Sequence, residues 1–288
     1  MSKSSKIIVI GATGYIGKPL YIRALPNSIV YGTSSKYSDE LIHLQLDTPD
    51  EFDYKIIQPS DAVLLTAAIS APDVCAREYE RAWEVNVAGT SEFISRVIAR
   101  KGRIVFFSSD TVYGERSDGF NERADCNPAG EYAKMKHEVE KRFLDNPFFK
   151  SIRLSYVFSR EDKFTKYLCG CVVRGEEAEI FHPFYRAVVY RNDVVEAVIA
   201  LLQRWNEFPQ SIINFGGPDV IARTEFAKLL KTNVLPALRF RQTEPESEFF
   251  VNRPRVIQMI SPFLISLLGR PAHTLYEAIK IEFNKSEQ

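Results

Sequence analysis

The stretch Lys6-Ile7-Ile8-Val9-Ile10, followed without a break by Gly11-Ala12-Thr13-Gly14-Tyr15-Ile16-Gly17, decides the fold. An uninterrupted β-branched run reads as a strand buried on both faces, at the centre of a parallel sheet. The glycines fall at a G-x-x-G-x-x-G spacing. Gly11 permits a tight turn, Gly14 lets backbone N–H groups approach a pyrophosphate, and Gly17 allows close helix-to-strand packing. A helix beginning near Tyr15 aims the positive end of its dipole at that phosphate. A glycine turn by itself can be mere turn chemistry; between a strand and a helix it predicts dinucleotide binding.

Outward from this turn the pattern repeats. Helix is expected over Tyr15 to Leu25, and strands over Ser28 to Thr33, Leu41 to Leu46 and Ala62 to Ala68. A long helix from Glu78 to Arg100 precedes strand Arg103 to Phe107; helix Gly130 to Leu144 precedes strand Ser151 to Leu154. Strands alternating with helices at this spacing predict a Rossmann-type α/β fold with a doubly wound parallel sheet. Beyond residue 155 the alternation loosens. Helix Phe164 to Arg174, strand Ala187 to Tyr190, a helix capped by Asp193, strand Ile212 to Phe215 and helix Thr224 to Leu230 follow. Val256 to Leu268 and Leu275 to Ile281 read as two further helices. The expected division is a cofactor-binding domain over 1–155 and a smaller C-terminal α/β substrate lobe over 156–288, sharing some elements.

The chain has 288 residues and balances 37 Lys and Arg against 37 Asp and Glu, which argues against nucleic acid or an anionic membrane as partner. Met1-Ser2-Lys3-Ser4-Ser5 lacks the apolar core of a signal peptide, and no apolar run approaches the ~18 residues needed to cross a bilayer. Cys75, Cys126, Cys169 and Cys171 form no disulfide framework, and His43, His137, His182 and His273 are scattered, so no metal site is expected. A reduced, cytoplasmic protein is the expectation.

Tyr132-Ala133-Lys134-Met135-Lys136 places a phenol and an ammonium four residues apart, on one helix face. Surface pairs at that spacing are common. Here, however, Ser108-Ser109-Asp110 stands at the C-terminal end of the fifth strand, where open α/β sheets bind ligands. Together with Asn86 in Glu84-Val85-Asn86-Val87-Ala88-Gly89-Thr90, these motifs resemble the extended short-chain dehydrogenase/reductase (NAD-dependent epimerase/dehydratase) family, nearly end to end. Ser109-Asp110, Arg153-Leu154-Ser155-Tyr156-Val157-Phe158 and Arg253-Pro254 with Leu268-Gly269 make the chain most similar to the dTDP-4-dehydrorhamnose reductase-like branch.

The chemistry asks for these residue types. Reduction of a ketone needs hydride at carbon and a proton at oxygen. Tyr132 is the candidate donor, and a nearby ammonium at Lys136 is expected to lower its pKa from ~10 towards a useful range. Ser109 is the candidate donor to the developing alkoxide. The resemblance implies that Lys136 also holds the nicotinamide ribose, and that Asn86 supports the site through a buried polar network. Asn86 read alone satisfies a neighbouring backbone group.

Gly11, Thr13, Gly14, Tyr15, Ile16 and Gly17 are the candidate phosphate cradle. An acidic residue at the end of strand two would hold the ribose of NAD. Tyr31-Gly32-Thr33-Ser34-Ser35-Lys36 has none before Asp39, and Lys36 suits a 2′-phosphate, so NADP(H) is favoured over NAD(H). The resemblance matches Asp47 to the family position after strand three that contacts adenine; read alone, Asp47 caps a helix. Thr66, Ala67 and Ala68 line the nicotinamide side. The resemblance places Arg186 on a substrate diphosphate and Tyr156 as a stacking aromatic, beside Ser109 and Asp110. Read alone, Arg186 is an exposed loop arginine and Tyr156 a core ring.

Asp110-Thr111 lacks the Glu expected of related dehydratases, and the acid after strand two that related epimerases use is missing. The function implied is reduction of a 4-keto nucleotide-diphosphate sugar, a precursor of deoxysugars or surface polysaccharide. The alternatives are an epimerase of the same family and a non-catalytic NADP-binding regulatory protein. A homodimer is admissible.

Overall fold

The computed structural model describes residues 5–284; Met1 to Ser4 of the polar leader lie outside the described residues. The first half runs β1 (Ile7–Ile10), α1 (Gly17–Ala24), β2 (Val30–Ser34), β3 (Ile42–His43), β4 (Ala62–Leu65), α2 (Pro72–Arg77), α3 (Tyr79–Trp83), α4 (Thr90–Ala99), β5 (Arg103–Ser109), β6 (Arg116–Phe120), α5 (Gly130–Phe143) and β7 (Phe149–Leu154). The second half runs β8 (Val157–Phe158), α6 (Lys163–Arg174), β9 (Glu177–Phe181), β10 (Tyr185–Tyr190), α7 (Arg191–Gln203), β11 (Ile212–Phe215), β12 (Asp219–Ala222), α8 (Arg223–Asn233), β13 (Arg239–Thr243), α9 (Ser247–Val251), β14 (Val256–Met259), α10 (Pro262–Leu268) and α11 (Leu275–Asn284).

Seven parallel strands form the main sheet in the order β11-β7-β5-β4-β1-β2-β3. All four residues of β1 are buried. Ile7 and Val9 pack with Leu20 of α1 and Val198 of α7, while Ile8 and Ile10 pack on the other face with Phe93 and Val97 of α4. This two-faced burial is what the β-branched run predicts. The strand order reverses between β1 and β4, which opens a crevice at their C-terminal ends.

A second sheet takes strands from both halves in the order β12-β10-β14-β6, with β8 also on β10. Here β6 of the first half pairs with β14, while β11 of the second half completes the main sheet on β7. β9 and β13 form a separate parallel pair.

The strand expected over Leu41 to Leu46 is extended only at Ile42–His43, and three larger expectations change. Val256 to Leu268 is not one helix but strand β14 and then α10. Val256 to Met259 alternate half-buried and buried, a strand period, and Pro262 occupies the first turn of α10, where its missing N–H is not needed. The helix expected over Glu78 to Arg100 is divided into α3 and α4 by a wider π-type stretch, Glu84–Gly89, and the hydroxyl of Thr90, which opens α4, donates back to the Val85 carbonyl at 2.8 Å. Asp193 does not cap α7, whose N-cap is Tyr190. It lies buried in the first turn and accepts from the His273 N–H at 2.7 Å and from Arg270 at 2.8 Å. Among the described residues no helix is long and apolar enough to cross a membrane, and no group of three or more His, Cys, Asp or Glu gathers that could hold a metal ion.

Candidate active site

The glycine turn sits in the crevice. Gly11 has φ +85°, a conformation that side chains disfavour, and a Cβ at Gly17 would overlap the Gly11 carbonyl oxygen. The turn is tethered to β2: the Ala12 N–H donates to Thr33 O at 2.9 Å and the Gly11 N–H to Thr33 Oγ1 at 3.2 Å. α1 begins at Gly17, two residues later than expected, which leaves Thr13, Gly14, Tyr15 and Ile16 as open loop. These residues, with Asp47, Ala67, Ala68, Tyr132 and Lys136, wall a cleft of about 570 Å³. A small-residue cradle facing a helix N-terminus, with two alanines opposite, fits a dinucleotide.

Asp47 is exposed on that wall and caps no helix; the residue that precedes the short turn at Pro49–Glu51 is Thr48, whose side chain makes no capping bond either. Lys36 is exposed just beyond β2 and lies outside this wall, where the nearest β2-end residues are Thr33 and Ser35. Tyr15 does more than sequence indicates. Its hydroxyl donates to Val157 O at 3.1 Å and lies 2.9 Å from Ser159 Oγ, tying the turn to the second half. Asn86 clamps a distant backbone: its side chain accepts from the Ile69 N–H and donates to the Ile69 carbonyl, both at 2.9 Å. That fixes the loop after β4, which carries Ala67 and Ala68.

A second cleft of about 930 Å³ adjoins the first, and Tyr132 walls both. α5 presents Tyr132 and Lys136 on its buried face. Lys136 donates to Phe107 O at 2.8 Å, lies over the Phe106 ring at 4.4 Å and stands 5.8 Å from the Tyr132 ring centre. Burial lowers its pKa to about 8, with Glu140 and Cys75 opposing. For Tyr132 the expected depression is reversed. Burial pushes the phenol above its ordinary range, and Cys75 and Asp110 push the same way. Ser109 ends β5 half-buried on the second cleft, its Oγ accepting from the Thr111 N–H at 3.2 Å.

Asp110, Tyr156 and Arg186 all reach this second cleft. Arg186 is not a loop residue; it belongs to β10 and is 7% exposed. Its guanidinium donates to Tyr185 O at 2.6 Å and Pro254 O at 2.7 Å, and lies 3.7 Å from Asp110. Burial raises the Asp110 carboxyl above the usual range, against the Arg186 charge and a 2.9 Å hydrogen bond from Ser155. The Tyr156 hydroxyl is spent on Asp162 at 2.5 Å while its ring packs edge-on to Phe226.

Sequence reasoning missed Lys163, Arg191 and Arg223. Each opens a helix (α6, α7 and α8), and all three line the second cleft. A cation at a helix N-terminus opposes the dipole, so its placement there was a readable signal. The cleft carries seven Lys and Arg side chains against three Asp and Glu, although the whole chain is neutral. Arg253 also lines it and is held by Asp73 of α2 through contacts of 2.8 and 2.5 Å.

No curated protein sequence matches the chain. Among solved structures, the fold is similar to a dTDP-4-dehydrorhamnose reductase from Bacillus anthracis in complex with NADP (TM-score 0.83, 18% identity, 99% of this chain and 100% of that one). It is likewise similar to a dTDP-4-dehydrorhamnose reductase from Clostridium acetobutylicum (TM-score 0.82, 19% identity, 98% and 100%). A mutant UDP-glucuronic acid 4-epimerase from Bacillus cereus, bound to NAD and a fluorinated UDP-glucuronic acid, superposes equally well (TM-score 0.83, 18% identity, 98% and 99%). The RmlD substrate binding domain model matches residues 5–253. The chain therefore belongs to the RmlD substrate binding domain family, within the extended short-chain dehydrogenase/reductases, and is an NAD(P)-dependent oxidoreductase.

Proposed function

We propose that this enzyme reduces a 4-keto nucleotide-diphosphate sugar with NADPH. The observation that carries the reading is Tyr132, a phenol on the wall common to the two clefts. Burial keeps that phenol protonated at neutral pH, the state a proton donor needs. In the first cleft Gly11, Thr13, Gly14, Tyr15, Ile16 and Gly17 cradle the cofactor's phosphates, Asp47 meets the adenine end, and Ala67 and Ala68 flank the nicotinamide. A dihydronicotinamide bound there would supply the hydride to the carbonyl carbon. Tyr132 gives its proton to the carbonyl oxygen, and Ser109 donates a hydrogen bond to the same oxygen as charge develops. Lys136 holds the cofactor ribose and a positive charge beneath the phenol. In the second cleft Arg186, with Asp110 and Tyr156, orients the substrate, and the helix-opening cations favour a diphosphate.

Hydroxyls and Lys36 after β2, with no carboxylate before Asp39, support NADPH over NADH. The reading assigns 1–155 to the cofactor and 156–288 to the substrate, with strands exchanged. It places the enzyme in the cytoplasm and admits a homodimer.

The test is NADPH consumption by the purified protein with dTDP-, GDP-, CDP- and UDP-linked 4-keto sugars. Loss of NADPH absorbance with one of them, and a 4-hydroxy product, is the expected result. Interconversion of 4-hydroxy nucleotide sugars that differ only in configuration at C4, without net NADPH use, would make the protein an epimerase. Tight NADPH binding with no turnover on any substrate would make it a regulatory binder.

A further inference from the structure

Tyr132, Lys136 and Glu140 follow at intervals of four along α5 and so stand in a row down one face. Glu140 is 0% exposed. One of its oxygens accepts from Ser151 Oγ at 2.8 Å and Arg153 Nε at 3.0 Å; the other accepts from Arg153 Nη2 at 2.7 Å and lies 3.4 Å from His137 Nδ1. Arg153 belongs to β7, where its guanidinium lies 4.5 Å from the centre of the Tyr113 ring. A buried ion pair adds little net stability compared with a well-packed apolar pair. Its place directly behind the Tyr-Lys pair calls for another role.

We propose that Glu140 is a positioning residue of the active site: rooted in the sheet through Arg153, it fixes the register of α5 on the sheet and keeps a cation at Lys136. The proposal rests on the place given to Lys136 in the reading above. Lys136 is ringed by charged and titratable groups. Tyr132 and Glu140 face it from α5 and Cys75 from α2. β5 offers the Phe106 ring and the Phe107 carbonyl. Arg153 on β7 and His137 face Glu140, and Asp110 faces Tyr132. Burial works against the ammonium, and Glu140 is its strongest opposing charge. Without that carboxylate Lys136 loses an attraction, while Arg153 remains as an unbalanced cation behind it. Without Arg153 the carboxylate keeps Ser151 and His137 as its partners, and no guanidinium offsets its attraction for Lys136.

The test is titration of Lys136 itself, by NMR of its ε-carbon in protein containing isotope-labelled lysine, with Lys136→Met to assign the signal. Glu140→Gln should lower the Lys136 pKa by about 1 unit, and Arg153→Met should raise it by a similar amount. The alkaline limb of any turnover profile should move with it. A clamp that is only structural would cost stability in both variants without opposite shifts. An unmoved pKa in a folded variant, or shifts of one sign, overturns the proposal. If a single variant fails to fold, the double variant Glu140→Gln, Arg153→Met removes the buried charges together, and Lys136 should still fall, Glu140 acting on it more strongly. If Lys136 shifts as expected and yet no 4-keto sugar consumes NADPH, the proposed reaction fails while the role of Glu140 stands.

Discussion

Arg186→Ala separates a substrate contact from a structural one. The change removes hydrogen bonds to Tyr185 O and Pro254 O at 2.6 and 2.7 Å, and the cation 3.7 Å from Asp110. A hydrogen bond from a charged donor contributes about 1.5–3 kcal/mol. Removing one partner of a buried ion pair costs about 3–5 kcal/mol, because the other is left uncompensated. The two effects overlap, since Asp110 can take up a proton when its partner is gone. The expected loss is therefore about 3–5 kcal/mol, or roughly 5–8 °C in the melting temperature of a chain this long. Thermal melts of wild type, Arg186→Ala and the double variant with Asp110→Asn measure it directly, and the double variant should recover part of the loss. At a temperature where all are folded, Arg186→Ala should raise KM for a nucleotide sugar roughly 10- to 150-fold while sparing a small phosphate-free ketone. Arg186→Lys should rescue only in part, for want of the planar fork. A melting temperature within about 2 °C of wild type would refute the structural account. Equal losses on both substrates would remove Arg186 from substrate recognition.

Tyr132→Phe keeps the ring and loses the proton, so cofactor binding should survive while turnover falls roughly 10²–10⁴-fold; near-normal turnover would dismiss Tyr132 as the donor. Lys36→Ala should weaken NADPH far more than NADH, read as the ratio of the two dissociation constants. An unchanged ratio leaves Lys36 a surface lysine, in keeping with its exposure outside the cleft wall. Glu140, held at about 2 against 4.5 by His137 and Arg153 despite its burial, binds fewer protons folded than unfolded. Its stabilisation is complete above about pH 4.5 and lost as pH falls through 2, on the order of 3 kcal/mol. Denaturant titrations at pH 5 and pH 2.5 should show the difference shrinking in Glu140→Gln, and an equal difference in both proteins would contradict the pairing.

The main sheet was legible because its central strands β1, β4 and β5 are continuous apolar runs, the signal that burial on both faces leaves. β6 was not: Arg116-Ser117-Asp118-Gly119-Phe120 is too polar to announce a strand, and it pairs only because β14 arrives from far along the chain. β14 hid for the related reason that Val256 to Leu268 carries enough apolar residues to satisfy a helical count. Within the site, Ser109, Tyr132 and Lys136 were readable from motif and position. The state of the Tyr132 phenol was not, because spacing shows a neighbouring ammonium but says nothing of burial, which dominates. Glu140 lay in plain view four residues after Lys136. Its significance depended on Arg153, on a strand whose facing direction sequence does not reveal.

The exchange of β6 and β11 between the sheets governs how this protein can be made. During synthesis the edge of β7 stays bare until Phe215 has left the ribosome, and β6 waits for Val256 to Met259, the last strand among the described residues. A nascent chain stalled, or cleaved, near residue 155 therefore displays an unpaired row of N–H and C=O groups, an invitation to pair with other chains. Neither sheet is complete within one half. Fragment expression should give aggregates, whereas the two pieces produced together have complementary edges through which to reassemble.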